Sequence, residues 1–289
     1  MAHDKCRKGM VVDTLPGDVG YSCHHRAATR HLTLLLLLLI LVPCGSDSTH
    51  RSYLPLAPVH GYVWPSRGFG HSIWDISHAA LIGEQPVWFH DWWWDCARWV
   101  NDRGVYVTSV ARAWQPEVLS CNDGRPLLVL NEPEEVGQAD LTPEQAAWIL
   151  HAAATSGWSG PIFCCGTQAA HLPYMRRLLT AYRAAYGTWP ADGLHVHVYH
   201  GVAELDAFMQ WAVDEGILGR GVVVSEFGYL TDDPISVMQM RSLIAALEIR
   251  PQVLAHAWFS LNSPDWPSSN LLNADGTLTE LGKEWRAGD

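Results

Sequence analysis

The chain of 289 residues is 48% hydrophobic and 17% charged, which excludes a disordered polypeptide and describes one that buries a core. A net charge of -11 argues against a nucleic-acid binder, because neutralising phosphates needs a basic face. Fifteen tryptophans suit the core of a large barrel or surfaces that stack on flat ligands, and composition does not decide between them.

Residues 32–42 form an almost pure leucine run, too short for a membrane span of about 20 residues but right for the apolar part of an export signal. Arg26, Arg30 and His31 supply a basic flank before it, and Pro43-Cys44-Gly45-Ser46 follows. A cysteine directly after an apolar run, ahead of a Gly/Ser/Asp tether, resembles a bacterial lipoprotein signal, although Pro43 stands where Gly or Ala is usual. The stretch before Arg26 is long for a leader, and Met10 is an alternative start. The expectation is a leader over 1–45 with Cys44 as candidate lipidation site, a tether over 46–55, and one domain over 56–289. That domain is expected to be exported, either extracellular or lipid-anchored to the cell surface. In such a compartment Cys96 and Cys121 are a possible disulfide. Adjacent Cys164 and Cys165 would point to opposite faces of a strand and read as small core residues.

From Leu56 onward short apolar runs alternate with helical stretches. Strands are predicted at 59–63, 86–90 and 105–110, and a fourth at 127–130, whose unbroken apolar run suits a strand buried on both faces. Thr142 as N-cap and Pro143 in the first turn open a helix that Gly157 ends. A fifth strand at 161–165 precedes a helix over 174–186, and a sixth at 194–199 precedes one over 204–214. The seventh at 221–225 is followed by a helix over 235–247, and the eighth at 253–259 by a last helix over 277–285. Eight β/α units over roughly 235 residues is the count of a single α/β (β/α)8 TIM barrel.

In such barrels the reacting groups sit where strands end and loops begin. The fourth strand runs into Asn131-Glu132-Pro133-Glu134 and the seventh into Glu226-Phe227-Gly228. Their ends lie nearly opposite in a ring of eight. Two carboxylates facing each other over a groove are the equipment of glycosidic bond cleavage, one as proton donor and one as nucleophile or base. The sixth strand adds His197 and Tyr199, two apart and therefore on one face. The eighth ends at Trp258, a flat surface for a sugar ring. Trp114 and Trp266, on loops after the third and eighth strands, are candidate subsite platforms, and Trp92-Trp93-Trp94 a candidate stacking wall. His195 and His197 have a metal-ligand spacing, but the other strand ends carry Asn-Glu and Trp, so neither a metal nor another cofactor is expected. Glu134 and Glu135 read as solvated loop charges. His60, His90 and His256 read as hydrogen-bonded core or rim residues.

Leu130-Asn131-Glu132-Pro133, His197-Val198-Tyr199, Ser225-Glu226-Phe227-Gly228 and Ala257-Trp258-Phe259-Ser260 resemble the signature strand ends of clan A retaining glycoside hydrolases. The tail from Asn273 to Gly282 resembles the segment after the eighth strand in these enzymes. The nearest group is the compact alkali-sensitive-linkage type, which includes β-1,3-glucanases, and the likeness covers roughly 56–286. The resemblance implies that Glu132 is the general acid/base and Glu226 the nucleophile. It also implies that Asn131 binds the sugar 2-hydroxyl, that Tyr199 orients the nucleophile, that His197 joins their network and that Trp258 is the platform. An Arg common near the end of the second strand is replaced here by Phe89-His90-Asp91-Trp92, with Arg112 as a possible substitute.

The expected chemistry is double displacement on a β-linked glucan-type polysaccharide or oligosaccharide, carried out by a monomer. Glu132 is expected to start protonated, its pKa raised by burial and by the Glu226 charge. The alternative is a catalytically silent glycan-binding surface protein on the same barrel.

Overall fold

The computed structural model describes residues 67–70, 87–90, 100–101, 104–231 and 233–287. The leader with Cys44, the tether, the strand expected at 59–63, His60, Trp92-Trp93-Trp94 and Cys96 lie outside the described residues. Every described residue belongs to one compact unit. Among the described residues no helix is long and apolar enough to cross a membrane.

The architecture is α/β: a curled parallel sheet with helices, of the TIM-barrel kind. Its strands are β1 (Arg67–Gly70), β2 (Val87–His90), a short β3 (Val100–Asn101), β4 (Gly104–Val110), β5 (Leu127–Val129), β6 (Ile162–Gln168), β7 (Gly193–Val198), β8 (Val222–Phe227) and β9 (Val253–Trp258). Apart from β3, which runs antiparallel to β4, each is paired in parallel with its neighbours. The strand that pairs with both β2 and β9 is Arg67–Gly70, downstream of the stretch expected from periodicity. Its sequence, RGFG, has too little apolar alternation to announce a strand, and its backbone bonds to both neighbours make it one.

The helices are α1 (Pro143–Thr155), α2 (Leu172–Tyr186), α3 (Val202–Asp214), α4 (Val237–Glu248) and α5 (Glu280–Ala287). Thr142 and Gln145 form a capping box at the start of α1, and Ser236 and Gln239 form the same device at α4. Each helix buries one stripe against the sheet, as α2 does with Tyr174, Met175, Leu178, Leu179 and Tyr182. Burying a side chain of that size contributes about 1.5–3 kcal/mol.

Two apolar clusters result. The larger joins strands to helices, while the smaller is built of strand residues: Trp88, Leu128, Phe163, Val223, Ala255 and Ala257. Neighbours in sequence therefore part company, Leu128 going to the small cluster and Leu127 and Val129 to the large one. The same alternation sends Ala257 to the small cluster and Trp258 to the strand–helix layer.

One cysteine expectation changes. Cys164 and Cys165, both fully buried, are disulfide-bonded to each other across a cis peptide bond rather than pointing to opposite faces. Cys121 is disulfide-bonded as well.

Candidate active site

At β5 the backbone departs from regular geometry to present the carboxylate. Leu130 and Glu132 both adopt left-handed backbone (φ 75° and 41°), each a strain of about 1–2 kcal/mol for a residue with a Cβ. Hydrogen bonds hold them there: Leu130 N–H donates to Val110 O at 2.6 Å and Glu132 N–H to Gly166 O at 2.8 Å. Gly166 is itself left-handed (φ 62°), and a Cβ there would come within 2.6 Å of Leu130 O. Only glycine fits beneath the Glu132 turn.

At β8 the device is a bulge. Against β7, Val224 pairs with Val196 and Glu226 with His197, so Ser225 is an extra residue; against β9 the register shifts over the same stretch. Ser225 accordingly meets His195 (Oγ to Nδ1, 3.0 Å), Glu226 lines the cavity, and Phe227 turns to the strand–helix core. Strict alternation would have put Ser225 and Glu226 on opposite faces, and the bulge re-aims the carboxylate.

His197 connects the two. Its Nδ1 lies 3.0 Å from Glu132 Oε1 and its Nε2 3.5 Å from Glu226 Oε1. Gln168, at the end of β6, donates from Nε2 to the same Glu132 oxygen at 3.3 Å, and Tyr199 donates its hydroxyl to Glu226 Oε2. Glu132, His197, Tyr199 and Glu226 are all buried, with Glu132 7% and Glu226 3% exposed. Glu132, Glu226, Asn131 and Tyr199 line one open cavity of about 620 Å3 together with Gln168, Glu135, Phe259 and Trp266.

Burial pulls the His197 imidazole toward neutrality, but the Glu226 charge, the hydrogen bond and charge of Glu132 and the Glu134 charge outweigh it and push its pKa up to about 9. Burial also raises the Glu132 carboxyl, yet the hydrogen bond and charge of His197, with Gln168 and His171, hold it below its ordinary value. Glu132 was expected to carry a raised pKa; the cation placed against it reverses that. In the free protein the proton rests on His197, between two carboxylates. Burial and the Glu226 and Glu132 charges push the Tyr199 phenol well above its ordinary range, so it stays a donor.

Three aromatic and basic candidates fall elsewhere. Trp258 is fully buried, donates its indole N–H to Ser269 O at 2.7 Å and packs edge-on to Phe227, so it offers no face to a sugar; Phe259, one residue on, lines the cavity. Trp114 is half-buried against the core and does not line the cavity, whereas Trp266 does. Arg112 is exposed, donates to Gly137 O at 3.2 Å and is no substitute for an arginine at the carboxylates.

Of the histidines read as hydrogen-bonded core or rim residues, His90 is one, while His256 is buried with its Nε2 3.8 Å from Glu248 Oε1, beyond hydrogen-bond reach. His195 is held by Ser225 and by Val129 O at 2.9 Å, and His90 by Ser225 O at 2.8 Å; burial lowers both. Glu134 differs from expectation: its side chain is 5% exposed, its Oε1 accepts the Gln168 N–H at 2.7 Å, and burial pushes its pKa up to about 7. It was read as solvated because nothing in a loop motif tells which of two adjacent glutamates folds inward. With Glu135 and His171 it forms the group among the described residues whose atoms, within 4.8 Å of one another, could approach a metal ion. Gln168 and Gly70, which packs against Glu226, were also missed, since neither belongs to a motif.

The ends of the curled parallel sheet surround an acidic, open cavity with Glu132 and Glu226 in its wall, the equipment of a glycoside hydrolase. The chain belongs to the family described as glycosyl hydrolase catalytic core, whose model matches residues 61–285, and it is a glycosidase. Solved structures share the fold. A GH128 subgroup II endo-β-1,3-glucanase from Pseudomonas viridiflava is 23% identical, with 78% of this chain and 98% of that one covered and a TM-score of 0.63. A subgroup I endo-β-1,3-glucanase mutant from Amycolatopsis mediterranei, complexed with laminarihexaose, is 19% identical over 77% and 98%, with a TM-score of 0.61. A curdlan-specific exo-β-1,3-glucanase of subgroup III from Blastomyces gilchristii, in complex with glucose, is 21% identical over 76% and 97%, with a TM-score of 0.55. No curated protein matches the chain.

Proposed function

We propose that the protein is an exported retaining β-1,3-glucanase that works by double displacement, with Glu132 as acid/base and Glu226 as nucleophile. The observation that carries this reading is His197, set between the two carboxylates at 3.0 and 3.5 Å. The β-1,3 linkage is supported by the substrates named for the structural neighbours, laminari-oligosaccharides and curdlan.

Substrate entering the cavity displaces water, which raises the lowered pKa of the Glu132 carboxyl and draws the His197 Nδ1 proton across their hydrogen bond. Glu132 then gives that proton to the leaving glycosidic oxygen while Glu226 attacks the anomeric carbon, forming an ester. Esterification removes the Glu226 charge, so neutral His197 is the stable form through this stage. Water next loses a proton to Glu132 and displaces Glu226, releasing sugar with retained configuration, and the proton returns from Glu132 to His197. Tyr199 orients Glu226 throughout, Asn131 addresses the sugar beside the cleaved bond, and Trp266 and Phe259 supply apolar faces.

The same proposal covers the frame. The strands close as a (β/α)8 barrel, supported by β1 pairing with β9 at one side and β2 at the other, and by β2 pairing with β4. Residues 1–45 direct export, Cys44 is the candidate lipid anchor, 46–55 the tether, 56–289 the catalytic domain, and the protein acts as a monomer.

Hydrolysis of laminarin, curdlan, β-1,4-glucan, xylan and mannan by the full chain, beside Glu132→Gln and Glu226→Gln, tests the reading. Cleavage of β-1,3-glucan by the wild type alone is expected. Binding without cleavage of any polymer would replace the enzyme by a silent glycan-binding protein.

A further inference from the structure

Beside Glu132, outside the cavity lining, a third carboxyl is enclosed. Glu134 does not line the cavity, yet its side chain is 5% exposed. Its Oε1 accepts the Gln168 N–H at 2.7 Å, and the Gln168 side chain donates to Glu132 Oε1 at 3.3 Å. Its Oε2 is buried with no hydrogen-bond partner. A buried carboxylate oxygen left unsatisfied costs about 1–3 kcal/mol or more, so the arrangement is not a cheap way to tie a loop. A backbone N–H is equally well bound by an amide or a hydroxyl. What a carboxyl adds is charge.

We propose that Glu134 is a positioning residue for the Glu132–His197 pair: it fixes Gln168 against Glu132 and sets a third carboxyl charge beside the pair, which holds the catalytic proton there. The proposal rests on the acid/base role given to Glu132. The groups around Glu134 are Glu132 and Glu135 on its own loop, His171 ahead of α2 (Nδ1 at 3.5 Å from Oε1), Tyr174 on α2 and His197 on β7. Of these, His171 has a partly exposed side chain and is shared with Glu135, whose Oε1 lies 3.2 Å from its Nδ1, whereas His197 is enclosed with Glu132. The charge of Glu134 therefore acts mainly inward. Ionised, it makes the proton on the pair harder to lose, which keeps the acid loaded toward alkaline pH. Its own pKa of about 7 brings that charge in as the pH rises, below the pH of about 9 at which His197 gives up its proton.

Glu134→Gln keeps the acceptor for Gln168 and removes only the charge; Glu134→Asp restores the charge. Titration of the His197 imidazole by NMR in the labelled full chain is expected to show a midpoint lower by about half a pH unit or more in Glu134→Gln. The alkaline limb of kcat should move by the same amount with KM unchanged, and Glu134→Asp should move both back. In the wild type alone, the His197 resonances should show a second inflection at the pH where the Glu134 carboxyl titrates, a readout independent of any variant folding. A His197 midpoint untouched by Glu134→Gln, no second inflection, or a fall in kcat equal at every pH would overturn the proposal. If the wild type cleaves no glucan, the functional reading fails, and the His197 titration still decides this one.

Discussion

Gly70 stands where a Cβ would come within 2.9 Å of Glu226 Cγ. The same Cβ would lie 3.1 Å from His90 Nε2 and from Ser225 O, so it is enclosed by side chain and backbone at once. The end of β1 is thus the wall against which the β8 carboxylate is set. Gly70→Ala should displace Glu226 rather than unfold the sheet. A misplacement of about 1 Å costs on the order of 100-fold in rate, so kcat is expected to fall that far with a small change in Tm. Parallel measurement of kcat and Tm checks this, and an unaltered kcat would show that Glu226 has room to move.

His197 carries its own pH signature. Its pKa in the folded protein is about 9, above the ordinary 6.5, so folding favours the protonated form. The stabilisation is complete below about pH 6.5 and is lost as the pH rises through about 9. His197→Gln should flatten the decline of Tm across that window and lower kcat by about 100-fold or more, the scale of general acid–base assistance. Wild type and variant with parallel Tm curves from pH 6.5 to 9 would remove His197 as holder of the proton.

Glu134 affects stability in a different window. Its folded pKa is raised from 4.5 to about 7, so its contribution is present below about pH 4.5 and lost as the pH rises through about 7. Glu134→Gln should match the wild type at pH 4 and exceed it by about 1–3 kcal/mol at pH 8. Urea unfolding at the two pH values measures the difference directly.

The two tryptophans should separate cleanly. Trp258→Ala removes a fully buried indole and is expected to cost about 3–5 kcal/mol of stability, while the gentler Trp258→Phe leaves KM for an oligosaccharide unchanged. Trp266→Ala, at the cavity wall, should raise KM by roughly tenfold, about 1.4 kcal/mol, with little loss of Tm. A KM effect at Trp258→Phe would mean that its face reaches the substrate after all.

The repeating frame and the carboxylates at its rim were legible because each rests on local chemistry. Thr142 with Gln145 caps α1 through atoms three residues apart, and an unbroken apolar run such as Leu127–Val129 has few uses other than a buried parallel strand. Asn131-Glu132-Pro133 and Ser225-Glu226-Phe227 announced themselves by ending such runs in charge. Tertiary structure alone decided the rest. Which residues between 59 and 70 pair with β2 and β9 depends on partners far away in sequence, as does the bulge that puts Glu226 on the same side as Ser225. Trp258 faces the helices because alternation along β9 places its neighbour Ala257 in the strand cluster, and only the packed sheet reveals that phase. Glu134 and His197 show the same division: their residue types are plain in the chain, but the charge each carries is set by burial and by carboxyls brought from other strands.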